Sequence, residues 1–149
     1  MTKPVRFVVE RHYAMSADQH FAEIVKFDEL AEAMVGQVRY VGLPAGEAET
    51  GQSIDLRLYL WGWLPIGAWH ISVCERDDQQ RILRSSESGG VVKSMTHMLS
   101  VSPDGHGGCV HVDAIEVDAG LFTPWFARVA RSMYEKRHDV RARLRGQTV

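Results

Sequence analysis

The chain has 149 residues, 45% of them hydrophobic and 24% charged, with a net charge of −2. That suits one domain with a true core, spanning 1–149, and excludes a disordered chain or a collagen-like fibre. No apolar run reaches the ~18 residues of a membrane span, and Met1-Thr2-Lys3-Pro4 leads into no signal-peptide core, so a cytoplasmic location is expected.

Val5 to Ala14 (VRFVVERHYA) is rich in β-branched and aromatic residues and predicts a first strand, with Val5, Phe7 and Val9 on one side. Ser16 is a natural helix N-cap with Gln19 three residues on, and Phe21, Ile24 and Val25 give the following helix a short apolar face. Leu30 to Val35 predicts a second short helix stopped at Gly36. Gln37 to Gly42 is a short strand, and Leu43 to Gly51 a loop. Ser53 to Trp61 alternates, with Ile54, Leu56, Leu58 and Leu60 on one face. Gly62 to Gly67 turns the chain into a strand from Ala68 to Arg76, with Trp69, Ile71 and Val73 aligned. Arg81 to Glu87 returns, and Ser85 to Gly90 reads as polar and flexible. The last two strands, Val91 to Val101 and Cys109 to Val117, flank a Pro-Asp-Gly-rich turn.

From Leu121 to Arg145, Phe122, Phe126, Val129, Met133, Val140 and Leu144 recur at helical spacing, and Trp125 widens the stripe. Seven basic and two acidic residues give this run a charge of +5, leaving −7 for the rest. The stripe is expected to face a sheet, with the arginines as a solvated face. Hairpins rather than βαβ units mean an antiparallel sheet, so the class is α+β: six or seven curved strands around one long C-terminal helix, with two short helices after the first strand. Space between such a sheet and its helix is where small ligands usually sit.

This order resembles the helix-grip fold of the SRPBCC superfamily, which includes START domains, birch-pollen-allergen-like proteins, polyketide cyclase/dehydrase-like proteins and Hsp90-activator-like proteins. The resemblance runs from Val5 to Leu144. In small bacterial ligand-binding members the last strand tends to read Gly-Thr-x-x-x-Asp-x-Val-x-Tyr. Here Gly108-Cys109-Val110-His111-Val112-Asp113-Ala114-Ile115-Glu116-Val117 keeps the Asp, with Cys109 and Val117 in place of Thr and Tyr. His97 matches a histidine of the preceding strand, while Met95 and Leu99 replace larger or polar residues. The resemblance implies binding of a hydrophobic or amphipathic molecule; its alternatives are a cyclase, dehydratase or hydrolase using the same cavity, and a protein-interaction module.

A hairpin centred on Gly105 would set His97 opposite Asp113, Leu99 opposite His111 and Met95 opposite Ile115, all on one face. His97 with Asp113 is then either a catalytic acid/base with its orienting carboxylate or, more economically, a buried pair tying two strands. His97, His111 and Asp113 have the residue types of a metal site, but their roots stand apart on the strands and no fourth ligand is evident, so no metal is expected. Expected ligand contacts are His97, Asp113, Met95, Leu99, His111, Trp61, Trp69, Phe126, Val129 and Met133. Trp61-Gly62-Trp63 could be a cavity lid, a loop packed on the core, or a homodimer patch. Cys74 and Cys109, without a partner motif, are expected to be core thiols. No nucleotide fingerprint, nucleophile elbow or basic stacking platform is present, so neither a cofactor nor nucleic acid is expected.

Overall fold

Alternation of apolar and polar residues produces strands that bury every second side chain most regularly in the third and seventh of seven, Ser53–Leu60 and Cys109–Asp118. The structure, a computed structural model, describes residues 3–147. The strands are β1 (Val5–Tyr13), β2 (Val38–Val41), β3 (Ser53–Leu60), β4 (Leu64–Asp77), β5 (Ile82–Gly89), β6 (Val92–Pro103) and β7 (Cys109–Asp118). They form one antiparallel sheet in the order β1-β7-β6-β5-β4-β3-β2. Register shifts at Leu58/Tyr59, Val73/Glu75 and Glu87/Gly89 interrupt the ladders of β3, β4 and β5. Such bulges bend strands and curl a sheet.

Two short helices, α1 (Ala17–Ile24) and α2 (Phe27–Ala33), follow β1. Ser16 caps α1 as expected, its Oγ accepting from the Gln19 amide at 3.2 Å. The second helix begins three residues before the expected Leu30, because Phe27 has its own place in the core. The segment from Ser85 to Gly89, expected to be flexible, continues β5, with its amides paired to β4 and β6. After a short 3-10 turn, the long helix α3 (Thr123–Leu144) packs against β1, β7 and α2. Among the described residues no helix is long and apolar enough to cross a membrane.

The expected stripe faces the sheet only in part: Phe126 and Met133 are half-buried against the core, but the fully buried face is another one. The buried positions of α3 are Thr123, Ala127, Ala130, Tyr134, His138, Arg141 and Ala142. Five of these lie one residue beyond a position of the expected stripe or its continuation, a rotation of about 100°. Phe122, Trp125 and Leu144 are exposed. The reason is steric and polar: three alanines let the helix approach the strands closely, and Tyr134 and His138 reach partners on the sheet. Nor are all the arginines solvated, for Arg141 is 4% exposed and its Nε donates to Glu29 Oε1 of α2 at 2.8 Å. Of the two free thiols Cys109 is buried as expected, whereas Cys74 is exposed on the outer face of β4.

The hairpin register is offset by two residues from the expected one. Asp104 Oδ1 accepts from the amides of His106 and Gly108, at 2.7 and 3.1 Å, and Gly105 and Gly107 take positive φ. This turn centres on His106, so His97 lies opposite Ile115, Leu99 opposite Asp113 and Met95 opposite Val117. An even offset preserves the face, so the inward set is the expected one although the pairs are not.

Candidate functional site

The inward face of β7 reads Cys109, His111, Asp113, Ile115, Val117, all buried. A polar pair in the middle of an apolar row needs partners, since an unpaired buried charge is costly. The partners come from four other elements. Asp113 Oδ1 accepts from Nε2 of His97 on β6 at 2.6 Å and from Nε2 of His111 at 3.1 Å. Asp113 Oδ2 accepts from Nε2 of His138 on α3 at 2.5 Å. His138 Nδ1 lies 2.6 Å from the hydroxyl of Tyr13 on β1, and His111 Nδ1 lies 2.8 Å from Nε2 of His20 on α1. Arg145 reaches His20 Nδ1 and also stands beside Glu29.

The proton positions follow from one end. A guanidinium only donates, so His20 Nδ1 must accept and its proton sits on Nε2. His20 then donates to His111 Nδ1, which places the His111 proton on Nε2, directed at Asp113. On the other arm Tyr13 donates to His138 Nδ1, and His138 Nε2–H donates to Asp113. One carboxylate thus receives three N–H bonds. Burial keeps His20, His111 and His138 neutral: it lowers the His111 pKa from 6.5 to about 3 against the pull of Asp113, and lowers those of His20 and His138 as well. Burial opposes charge on Asp113 too, but the field of His111 and the bonds from His111, His138 and His97 hold its carboxyl well below the usual carboxylate range.

This network lies between two apolar clusters. One holds Phe21, Ile24, Val101 and Cys109; the other holds Phe7, Trp69, Met95 and Tyr134. Ligating atoms of His111, Asp113 and His138 fall within 4.8 Å of one another, a two-imidazole, one-carboxylate set suited to a transition metal. His138 stands in it where His97 was expected, and His111 lies close enough to Asp113 after all. An ion there would have to displace the N–H protons that now bind the carboxylate.

Beside the network, between α3 and the sheet, is a chamber of about 220 Å³. Met95, Trp69, Phe126, Val129 and Met133, five of the residues expected to contact a ligand, line it. A smaller inner chamber of about 90 Å³ is bordered by His97, Leu99 and Arg141. Tyr40, Tyr134, Glu87 and Arg137 border both. His111 and Asp113 border neither and sit behind His97. Trp61 is 59% exposed and lines an outer groove with Trp125, not the chamber; Trp63 is 69% exposed, so this turn is not packed on the core.

Sequence reasoning missed His20, His138, Tyr13, Arg137 and Glu29. His20 carries a signal, because it shares the buried row Ala17, His20, Phe21, Ile24 of α1. His138 falls on the row of Tyr134 and Arg141, which counting only large apolar residues could not reveal.

No protein-family model matches the chain, and no curated protein matches it by sequence. Solved structures do match. Protein CV1439 from Chromobacterium violaceum superposes with a TM-score of 0.73 at 11% identity, over 93% of this chain and 95% of its own. Ara h 8.0201 gives 0.70 at 12% identity, over 97% and 100%. Norcoclaurine synthase from Thalictrum flavum, in complex with dopamine and hydroxybenzaldehyde, gives 0.65 at 16% identity, over 95% and 86%. The chain has the helix-grip fold, as its order of elements implied.

Proposed function

We propose that this protein binds a small apolar or amphipathic molecule in the chamber between α3 and the sheet. The observation that carries this reading is the chamber itself, about 220 Å³ walled by Trp69, Met95, Phe126 and Met133 around a few polar groups. Protein interiors normally close to crystal-like density. A mostly apolar hollow with a few convergent polar side chains is the usual form of a ligand site. Norcoclaurine synthase, which shares the fold, was solved with two small aromatic molecules. Burying the ligand's apolar surface, at roughly 25 cal/mol per Å², would supply most of the affinity.

Native mass spectrometry of the purified protein tests the reading directly. A non-covalent mass that leaves on denaturation, and that is lost from Met133→Trp, is the expected result. An unliganded spectrum, together with no binding of small apolar probes in calorimetry, would remove it.

A second reading, an acid/base enzyme in the same cavity, is favoured by His97. Its Nε2–H is held by Asp113, its Nδ1 has no hydrogen-bond partner among the described residues, and it borders the inner chamber. A basic lone pair beside a cavity, oriented by a buried carboxylate, is what a general base requires. Once a substrate is known, His97→Gln should lower kcat at least a hundredfold with little change in KM; unchanged turnover would leave binding alone.

A further inference from the structure

The hydrogen-bonding capacity around the chamber is unevenly filled. Arg141, on the same helix as Arg137, and Arg145, just past its end, both reach Glu29. Arg137 reaches no carboxylate: among the described residues none comes within 4.0 Å of it. Its Nε rests on Met34 Sδ at 3.1 Å, and its guanidinium lies over the Tyr134 ring, 4.3 Å from the centroid. Neither contact supplies a counter-charge. Glu87 and Asp113 act on Arg137 only from beyond contact distance, so its N–H groups stay free for a ligand that reaches this half-buried guanidinium.

Two further donors border the same space. The hydroxyls of Tyr40 and Tyr134 have no hydrogen-bond partner among the described residues. Burial raises both phenol pKa values, that of Tyr40 to about 12, so both stay protonated and able to donate. Glu87 is the carboxylate at this waist between the chambers, and Trp69 Nε1 donates to its Oε1 at 3.0 Å. The N–H groups of Arg137 and the two phenol O–H groups together exceed what the free Glu87 Oε2 can take, which leaves room for an anion to engage them. The apolar wall of the outer chamber calls for a hydrophobic body attached to it. A volume of about 220 Å³ is below the ~300–1,000 Å³ of drug-sized sites, which limits that body to one ring or a short chain.

We infer that the ligand is a small amphipathic acid, its carboxylate received by Arg137 between the hydroxyls of Tyr40 and Tyr134 and its apolar part lying in the outer chamber. This rests on the reading of the chamber as a binding site and adds the chemical class of its occupant. A guanidinium fits the two oxygens of a carboxylate side by side, which a neutral amide cannot match.

Calorimetric titration of the intact protein with hydrocinnamate, hydrocinnamamide and hydrocinnamyl alcohol tests it, because the three share one skeleton and differ only in the head group. The acid should bind at least about tenfold more tightly than the amide, as charge-assisted hydrogen bonds require. Arg137→Gln should bring the acid down to the amide while leaving the alcohol unchanged, and Arg137→Lys should restore part of the preference. Should Arg137→Gln not fold, Tyr40→Phe should still narrow the gap between acid and amide. Equal affinity of acid and amide for the wild type, or a preference that survives Arg137→Gln, overturns the assignment of the acid. If the alcohol and the acid both fail to bind, the chamber is not a ligand site and the binding reading falls too. If the alcohol binds and the acid gains nothing over it, only the charge assignment falls.

Discussion

His138 Nε2 on the last helix lies 2.5 Å from Asp113 Oδ2 on the last strand, inside a layer where both residues are almost wholly buried. A helix that could have closed on the sheet through apolar contacts alone is instead joined to it by a bond to an ionised carboxylate. The same carboxylate ties in β6 through His97 and, by way of His111 and His20, the first helix. With Tyr13 of β1 bound to His138, five elements share one anion, which makes Asp113 the position where a single change reaches furthest.

Asp113→Ala would leave the Nε2–H groups of His97, His111 and His138 without an acceptor. Each stranded buried donor costs about 1–3 kcal/mol, so a loss of at least about 3 kcal/mol is expected in urea denaturation. Asp113→Asn should lose less. Its amide oxygen can still accept, and His138 can move its proton to Nδ1 and donate to Tyr13, freeing Nε2 to accept from the new amide. A loss below about 1 kcal/mol for Asp113→Ala would show that the network contributes little.

Acid should loosen the protein before its carboxylates protonate. The folded-state pKa of His111 is lowered from 6.5 to about 3, and those of His20 and His138 are lowered as well. The unfolded chain therefore binds more protons than the folded one once the pH drops below about 6.5. Stability is full above that value and falls as the pH is taken from 6.5 towards 3. Each proton taken up on unfolding contributes at most about 1.4 kcal/mol per pH unit. Urea midpoints measured between pH 8 and pH 4 should fall steeply on the acid side, and His20→Gln should flatten the slope. A flat profile over that range would contradict the neutral assignment of the three rings.

The face of α3 can be checked by two opposite substitutions. Ala142 is 0% exposed, so Ala142→Leu should overpack the helix–sheet layer and cost about 1–3 kcal/mol. Leu144, large and apolar but 58% exposed, should tolerate serine within about 0.5 kcal/mol. Thermal melts of the two variants side by side separate the observed face from the stripe of large residues, which predicts the reverse ranking.

That contrast also explains what the sequence could and could not disclose. A strand has a period fixed by its pleat, so the inward set of β7, with His111 and Asp113 in it, was legible from alternation alone. The register was not, because the Asp104 side chain decides where the turn centres; only the even size of the offset kept the face intact. The helix was legible as a helix, but its inward face is made of small and polar residues whose worth depends on what they meet. Tyr13, His20 and His138 belong to three separate elements, and nothing in one dimension links them to Asp113. The expected link between His97 and Asp113 does form, across a diagonal rather than an opposed pair.

Gly89 supplies a test of the chamber wall. It has an ordinary strand conformation, so alanine would fit the backbone and lose less entropy on folding. The space is what forbids it: a Cβ there would lie 2.4 Å from the carbonyl oxygen of Ala68 and 2.7 Å from Trp69 Cε3. The first of these atoms is backbone and cannot swing away, so β4 and β5 must part. Gly89→Ala should cost about 1–3 kcal/mol, as overpacking does. It should also weaken binding of hydrocinnamate, because Trp69 forms part of the chamber and holds Glu87 through its indole N–H. Gly36→Ala serves as the control: a Cβ there meets nothing within 4 Å, although the φ of +84° adds backbone strain of about 1 kcal/mol. Because Gly36 lies outside that chamber wall, its variant should melt earlier yet bind as the wild type does. Should Gly89→Ala bind hydrocinnamate with unaltered affinity, the indole of Trp69 is not a wall against which the ligand packs.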